Sequence, residues 1–178
     1  METLARHLRI CVTGPECTGK TTLAALLATH YGTVWVPEYS REYALAVGRE
    51  LTRDDVEPIG RGQIANEERL VGSAKRLLVF DTDLISTIVY ARYYYDFVPQ
   101  WLATEARARR SDVYLLHDID VPFVRDAARD AAEDRAAHLE LFRRVLAEHG
   151  AAVVLIRGGW EERRSIAIEA VERLLKNP

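Results

Sequence analysis

The chain is expected to fold as a three-layer α/β unit, with five strands in one parallel sheet and helices on both faces. Three observations predict this. Strand-length apolar runs alternate with helix-period segments along the 178 residues, a pattern that calls for parallel strands joined by right-handed crossovers. The first apolar run passes through a glycine turn directly into an amphipathic segment, in the order strand, loop, helix. Later apolar runs end at Glu38, Asp81 and His117-Asp118, and ligands of open α/β sheets bind beyond such carboxyl ends.

The elements follow in order. Leu8, Ile10, Cys11 and Val12 read as a buried strand, and Leu23, Ala24, Leu26, Leu27 and Ala28 as one face of a helix ending at His30-Tyr31-Gly32. Thr33 to Val36 is a β-branched and aromatic strand closed by Pro37. Thr52-Arg53-Asp54-Asp55 has capping-box spacing, but Pro58, Gly60 and Gly62 argue against continuous helix before Gln63, so a helix is expected from about Gln63 to Lys75. Leu77 to Phe80 is the third strand, ending in Asp81-Thr82-Asp83. The helix after it carries Ile85, Ile88, Val89, Tyr90, Tyr93, Tyr94, Tyr95 and Phe97. Beyond Pro99 come a short helix near Trp101 to Arg109, a fourth strand from Val113 to Leu116, and helices from Val121 to about Asp130 and from Asp134 to Glu148. Ala152 to Ile156 is the fifth strand, and Gly158-Gly159 turns into a last helix through Leu175, where the backbone can pass close to an adenine.

The glycine turn is Gly14-Pro15-Glu16-Cys17-Thr18-Gly19-Lys20-Thr21, followed by Thr22. Its spacing, G-x-x-x-x-G-K-[ST], is that of a phosphate-binding loop. Its glycines let backbone N–H groups wrap a polyphosphate, and the helix start adds its positive dipole end. Lys20 supplies a point charge for the outer phosphates, and the Thr21 hydroxyl is placed to hold Mg²⁺. Residues 14–22 are therefore the candidate triphosphate-binding residues of a P-loop NTPase; whether the phosphate is transferred, as in nucleoside- and nucleotide-kinase-like members of that fold, is read from the rest of the chain.

Phosphoryl transfer asks the protein to position an acceptor, hold Mg²⁺ and neutralise charge. Asp81, at a strand end, is the candidate second Mg²⁺ group, acting through water; capping of the next helix is the plainer alternative, and for Asp83 a stronger one. Glu38 lies where a carboxylate can accept the proton of an acceptor hydroxyl, with Asp83 as the other candidate base. Arg41 is a candidate to orient Glu38 or the substrate, and Tyr39 to stack on a flat ring. The tyrosines from Tyr90 to Tyr95 read as packing more than as a ring cage. Arg125, Arg129 and Arg135 fall in the connection between strands four and five, where a lid over about residues 120–136 is expected; Arg125 and Arg129 are the candidates to close over ATP, with Arg129 screening the transferred group.

Composition sets the outer bounds. The length suits one domain over 1–178. A net charge of −3 gives no basic field for nucleic acid, and no apolar run reaches the roughly 20 residues of a membrane span. Cys11 and Cys17 suit a reducing compartment, and too little chain precedes Cys11 for a secretion signal. A cytoplasmic protein is expected; oligomeric state is not derivable.

Taken together, residues 14–22, Val36-Pro37-Glu38-Tyr39-Ser40-Arg41-Glu42-Tyr43, Gln63 and Phe80-Asp81-Thr82-Asp83 make the chain similar to the ribosylnicotinamide kinase domain of NadR-type NAD-biosynthesis proteins and their stand-alone relatives. The resemblance runs through Arg129 and Arg135 to the last helix. It implies ATP- and Mg²⁺-dependent phosphorylation of the 5′-hydroxyl of nicotinamide riboside, giving nicotinamide mononucleotide. In that resemblance Glu38 and Arg41 match the E-Y-x-R-E element, and Asp81 and Asp83 the acidic pair. Asp126-Ala127 departs from the family's Asp-Gly at the lid. No stretch matches the adenylyltransferase or DNA-binding parts of longer relatives, so neither activity is expected of this chain. The alternatives are a kinase for another nucleoside or a nucleotide, the latter with Arg41 or Arg92 as extra cationic contacts, and an NTP-dependent switch.

Overall fold

A computed structural model describes residues 7–122 and 134–176. The expected lid arginines Arg125 and Arg129, and Asp126-Ala127, lie outside the described residues. Five parallel strands, β1 (Leu8–Thr13), β2 (Trp35–Val36), β3 (Leu77–Asp81), β4 (Val113–His117) and β5 (Val153–Ile156), form one sheet in the order β2-β3-β1-β4-β5. Strand β1 is central, so the loop after it opens at the middle of the sheet's carboxyl edge.

Successive side chains of a strand point to opposite faces, and both faces here are apolar. Ile10, Val12, Leu77, Val79, Val113 and Leu115 pack under α1 (Lys20–Tyr31) and α7 (Trp160–Lys176). Cys11, Leu78, Phe80, Tyr114 and Leu116 pack under α4 (Leu84–Tyr95), α5 (Gln100–Ala108) and α6 (Arg135–Glu148). Burial on both sides explains why these strands read as unbroken apolar runs rather than as alternating ones. The glycine after α1 behaves as expected: Gly32 is left-handed, and its N–H reaches the carbonyls of Ala28 and Thr29.

Two helices depart from expectation. Helix α2 (Tyr39–Val47) follows β2 directly, in a segment whose only sequence signal is a polar and aromatic cluster. Helix α3 spans Val56–Val71, beginning seven residues earlier than Gln63. Pro58 is accommodated because it falls in the first turn, where no intrahelical N–H donor is required. Its start is held by Asp55, whose carboxylate accepts from the Thr52 N–H at 2.7 Å, the Thr52 hydroxyl at 3.0 Å, Arg49 through two bonds, and the Tyr43 hydroxyl at 2.8 Å. The Arg49 guanidinium holds that carboxyl well below the usual range.

Gly60 and Gly62 serve as points of close approach within α3. A Cβ on Gly60 would lie 2.9 Å from the Trp101 ring, and one on Gly62 would lie 1.9 Å from the Tyr39 ring. Helix α2 therefore rests on α3 through Tyr39, which fixes the wall described next. Gly62→Ala gains helix propensity, roughly 1 kcal/mol, but forces the Tyr39 ring off its seat. The expected outcome is a several-fold rise in acceptor KM with ATP affinity unchanged, measured by steady-state kinetics. A matching loss of ATP affinity would show that α2 does not act on one side of the site alone.

Candidate active site

The loop between β1 and α1 adopts the strained backbone that its glycines permit. Gly14 has φ 127° and Gly19 φ 86°, and Cys17 is left-handed at φ 55°. A Cβ on Gly14 would sit 2.9 Å from the carbonyl oxygen of His117, so the loop lies flush against the end of β4. The Thr18 hydroxyl and the Lys20 ammonium both donate to the Pro15 carbonyl at 2.8 Å. Lys20 is nine-tenths buried, with its charge held at the loop's centre.

Behind the loop is a polar brace that the sequence reading did not single out. The Thr18 carbonyl accepts from Nδ1 of His117 at 2.8 Å and from Nη1 of Arg163 at 3.4 Å. Arg163 is fully buried; its Nε donates to the Gly158 carbonyl at 2.9 Å, and its guanidinium pairs with Asp120. Asp120 also accepts the Gly158 N–H at 2.6 Å. Burial holds His117 down to about 3, so the imidazole is neutral at working pH. Trp160, at the start of α7, lies against Gly19: a Cβ there would be 3.2 Å from the indole. These residues come from the end of β4, the turns after β4 and β5, and α7, and make no local motif.

Thr21 and Asp81 meet in front of the loop. The Thr21 hydroxyl donates to Oδ2 of Asp81 at 2.6 Å, while Oδ1 of Asp81 is buried with no partner among the described residues. Burial, reinforced by the nearby Glu38 charge and opposed by the Thr21 hydrogen bond and Lys20, pushes the Asp81 carboxyl up to about 6. An orphaned carboxylate oxygen beside a hydroxyl fits a hard cation that keeps several waters, so Asp81 and Thr21 are suited to hold Mg²⁺. Among the described residues no group of three or more His, Cys, Asp or Glu side chains that could hold a metal ion is found.

Asp83 behaves differently from Asp81. Its carboxylate accepts from the Ile85 N–H at 2.9 Å and the Tyr114 hydroxyl at 2.7 Å. It caps α4 and faces β4, so it is not a base or substrate ligand at the mouth of the loop. The cause is Thr82, left-handed at φ 64°, which breaks strand alternation and turns the two aspartates to different sides. Tyr39 is a second correction: its ring covers Gly62, its N–H donates to Gln63, and it does not line the cleft, so it is not a stacking platform.

A cleft of about 710 Å³ opens from the loop between α2, α3, α4 and α6. Glu16, Lys20 and Glu38 line it beside the loop, and Tyr90, Tyr94 and His138 line it as well, with Tyr90 close enough to Glu16 and Glu38 to feel their charges. Tyr90 and Tyr95 pack against the core and Tyr94 is exposed, in line with expectation, and all three also border the cleft. Glu38 precedes α2 but does not cap it, leaving its carboxylate turned to the cleft; Arg41 approaches it at 4.0 Å and is half exposed. Arg135 opens α6 on the same cleft, buried, with Nη1 donating to the Val121 carbonyl at 3.1 Å. Among the described residues no helix is long and apolar enough to cross a membrane.

Comparison with known proteins places this geometry in context. A family model described as an AAA domain matches residues 9–163. The trifunctional NAD biosynthesis/regulator protein NadR of Salmonella typhimurium is 24% identical over 173 residues, covering 93% of this chain and 42% of that protein. A NadR protein solved in complex with NR superposes with a TM-score of 0.79 at 29% identity, over 94% of this chain and 51% of the other. NadR solved with NAD and AMP-PNP gives 0.76, also at 29% identity, over 94% and 49%. The chain thus spans about half the length of these relatives or less.

Proposed function

Since the chain belongs to the AAA domain family, a P-loop nucleotide-binding family, we propose that it is an ATP- and Mg²⁺-dependent kinase for a nucleoside. Nicotinamide riboside is the preferred acceptor, phosphorylated at its 5′-hydroxyl. The observation that carries this reading is one continuous cleft lined by Lys20 and Glu38 and by Tyr90 and Tyr94. It leaves room for an acceptor whose hydroxyl faces the loop and whose ring lies against aromatic side chains. Tyrosine faces near the carboxylates of Glu16 and Glu38 favour a cationic ring, as pyridinium is. The relatives solved with NR and with AMP-PNP support the same pairing.

In the proposed reaction the acceptor oxygen attacks the γ-phosphorus of ATP. Its proton passes to Glu38, and the bond from the γ-phosphorus to the β,γ-bridging oxygen breaks, releasing ADP. Mg²⁺, when bound at Asp81 and Thr21, supplies charge neutralisation on the phosphates. Lys20 binds the outer phosphate oxygens in place of the Pro15 carbonyl. The brace of His117 and Arg163 holds the Thr18 carbonyl on its own side of the loop, which leaves the loop's N–H groups free to point to the anion.

The test is purified protein with ATP, Mg²⁺ and a panel of nucleosides that includes nicotinamide riboside, with product followed by chromatography. Phosphorylated product from nicotinamide riboside above the others is expected; no product from any of them overturns the proposal. Glu38→Gln is expected to lower kcat by about 10²- to 10⁴-fold, the usual worth of a general base, while ATP KM stays within a few-fold. Turnover surviving within a few-fold would assign the proton to another acceptor.

A further inference from the structure

Two residues that line the cleft each carry a buried polar atom without a partner among the described residues: Tyr90 at Oη and His138 at Nε2. Buried polar groups are almost always hydrogen-bonded, because desolvation without a replacement bond costs stability. His138 is only 4% exposed, so bulk water does not make up the deficit. Rotation does not resolve it either. The imidazole is gripped edge-on by Tyr90, Tyr93 and Tyr94, with centroids at 5.4, 4.2 and 6.2 Å, and the Tyr90 ring is wedged against Phe142 at 5.9 Å. Both polar atoms are thus held in place by packing with no partner among the described residues, as a preorganised recognition site requires.

We propose that Tyr90 and His138 are the specificity-determining pair of this cleft, jointly binding an exocyclic polar group carried by the acceptor's ring. The group must both donate and accept, as a carboxamide or the amide-like edge of a base does: a phenol hydroxyl offers either role, and a neutral imidazole nitrogen offers one according to tautomer. Burial lowers the His138 imidazole toward its neutral form, which fits that requirement. Rings without such a group leave both atoms desolvated and unpaired, which is how a polar site rejects an analogue. The assignment rests on the proposed acceptor occupying this cleft.

The test compares wild type with Tyr90→Phe and His138→Phe, which keep an aromatic ring but delete the polar atom, using nicotinamide riboside and the nucleoside panel. Each variant is expected to raise the KM for nicotinamide riboside by about 10-fold or more and to narrow discrimination against nucleosides lacking the polar group. The KM for ATP should stay within threefold. Tm should hold or rise, because an unpaired buried polar atom is removed; a residue serving packing alone would lower Tm and leave KM unmoved. Acceptor KM within twofold of wild type in either variant, or a loss confined to kcat, overturns the pairing while leaving the kinase assignment intact. If His138→Phe does not fold, His138→Gln takes its place under the same thresholds. A wild-type protein inert toward every nucleoside overturns the kinase assignment, and this pairing with it.

Discussion

Lys20→Met is expected to reduce turnover by on the order of 10²- to 10³-fold, the usual loss when one preorganised charge contact to the transition state is removed. The substitution keeps the unbranched stem that packs in the loop and deletes only the ammonium. Lys20 is nine-tenths buried, and its ammonium donates to a loop carbonyl, Pro15, at 2.8 Å. A carbonyl is a weaker partner for a cation than a phosphate oxygen, so binding ATP lets Lys20 exchange a poor bond for a charge-assisted one. Stability should barely change, since the variant loses one neutral acceptor and also the cost of burying a charge. Circular dichroism melts and steady-state kinetics separate the two effects. Turnover within tenfold of wild type, with an unchanged Tm, would mean that the loop is not where the γ-phosphate lies. Lys20→Arg should not rescue, because the wider planar guanidinium does not fit a slot built around a point charge.

The legible part of this protein was whatever depended on neighbouring residues. The phosphate loop is contiguous, its glycines need φ angles of 127° and 86°, and Lys20 follows at a fixed offset, so spacing alone located it. Asp81 was accessible because an apolar strand that ends in an acid announces a carboxyl edge. Sequence favoured capping for Asp83 more than for Asp81, as the structure has it, but it could not decide between cap and base, because the left-handed Thr82 between them is a backbone event without a residue signature. Gly60 and Gly62 misled for a related reason. Their usual meaning is chain flexibility, whereas here they admit Trp101 and the Tyr39 ring from other elements. The brace of His117, Asp120 and Arg163 was invisible: Arg163 reaches Thr18 across 145 positions of sequence. A fully buried arginine could not be told apart from the solvated ones in a helix rich in charge.

Asp81→Asn is the second large effect, and it should split activity from stability in opposite directions. Burial raises the Asp81 carboxyl from 3.8 to about 6 in the folded protein. A folded pKa above the unfolded one means that the native state binds more protons between those values, so stability falls as pH rises from about 4 to about 6. The destabilisation above pH 6 is on the order of 2–3 kcal/mol, about 1.4 kcal/mol per pH unit of displacement. Asparagine removes the buried charge, so the metal-free variant should be more stable than wild type at pH 7, with little difference at pH 4. Mg²⁺ with nucleotide reverses the wild-type trend by pairing the carboxylate and its orphaned Oδ1, but leaves the variant unaffected. Wild-type activity should fall as pH drops through about 6, and higher Mg²⁺ should partly restore it, because cation and proton compete for the same oxygens. The variant should lose turnover by about 10²-fold or more, the scale of one electrostatic contact to the transferring group, with no recovery by Mg²⁺. Melts from pH 4 to 8 with and without Mg²⁺-nucleotide, alongside rate profiles at two Mg²⁺ concentrations, check both halves. Equal pH slopes for wild type and Asp81→Asn would remove Asp81 as the titrating group. A stable variant that kept its Mg²⁺ response would move the metal elsewhere.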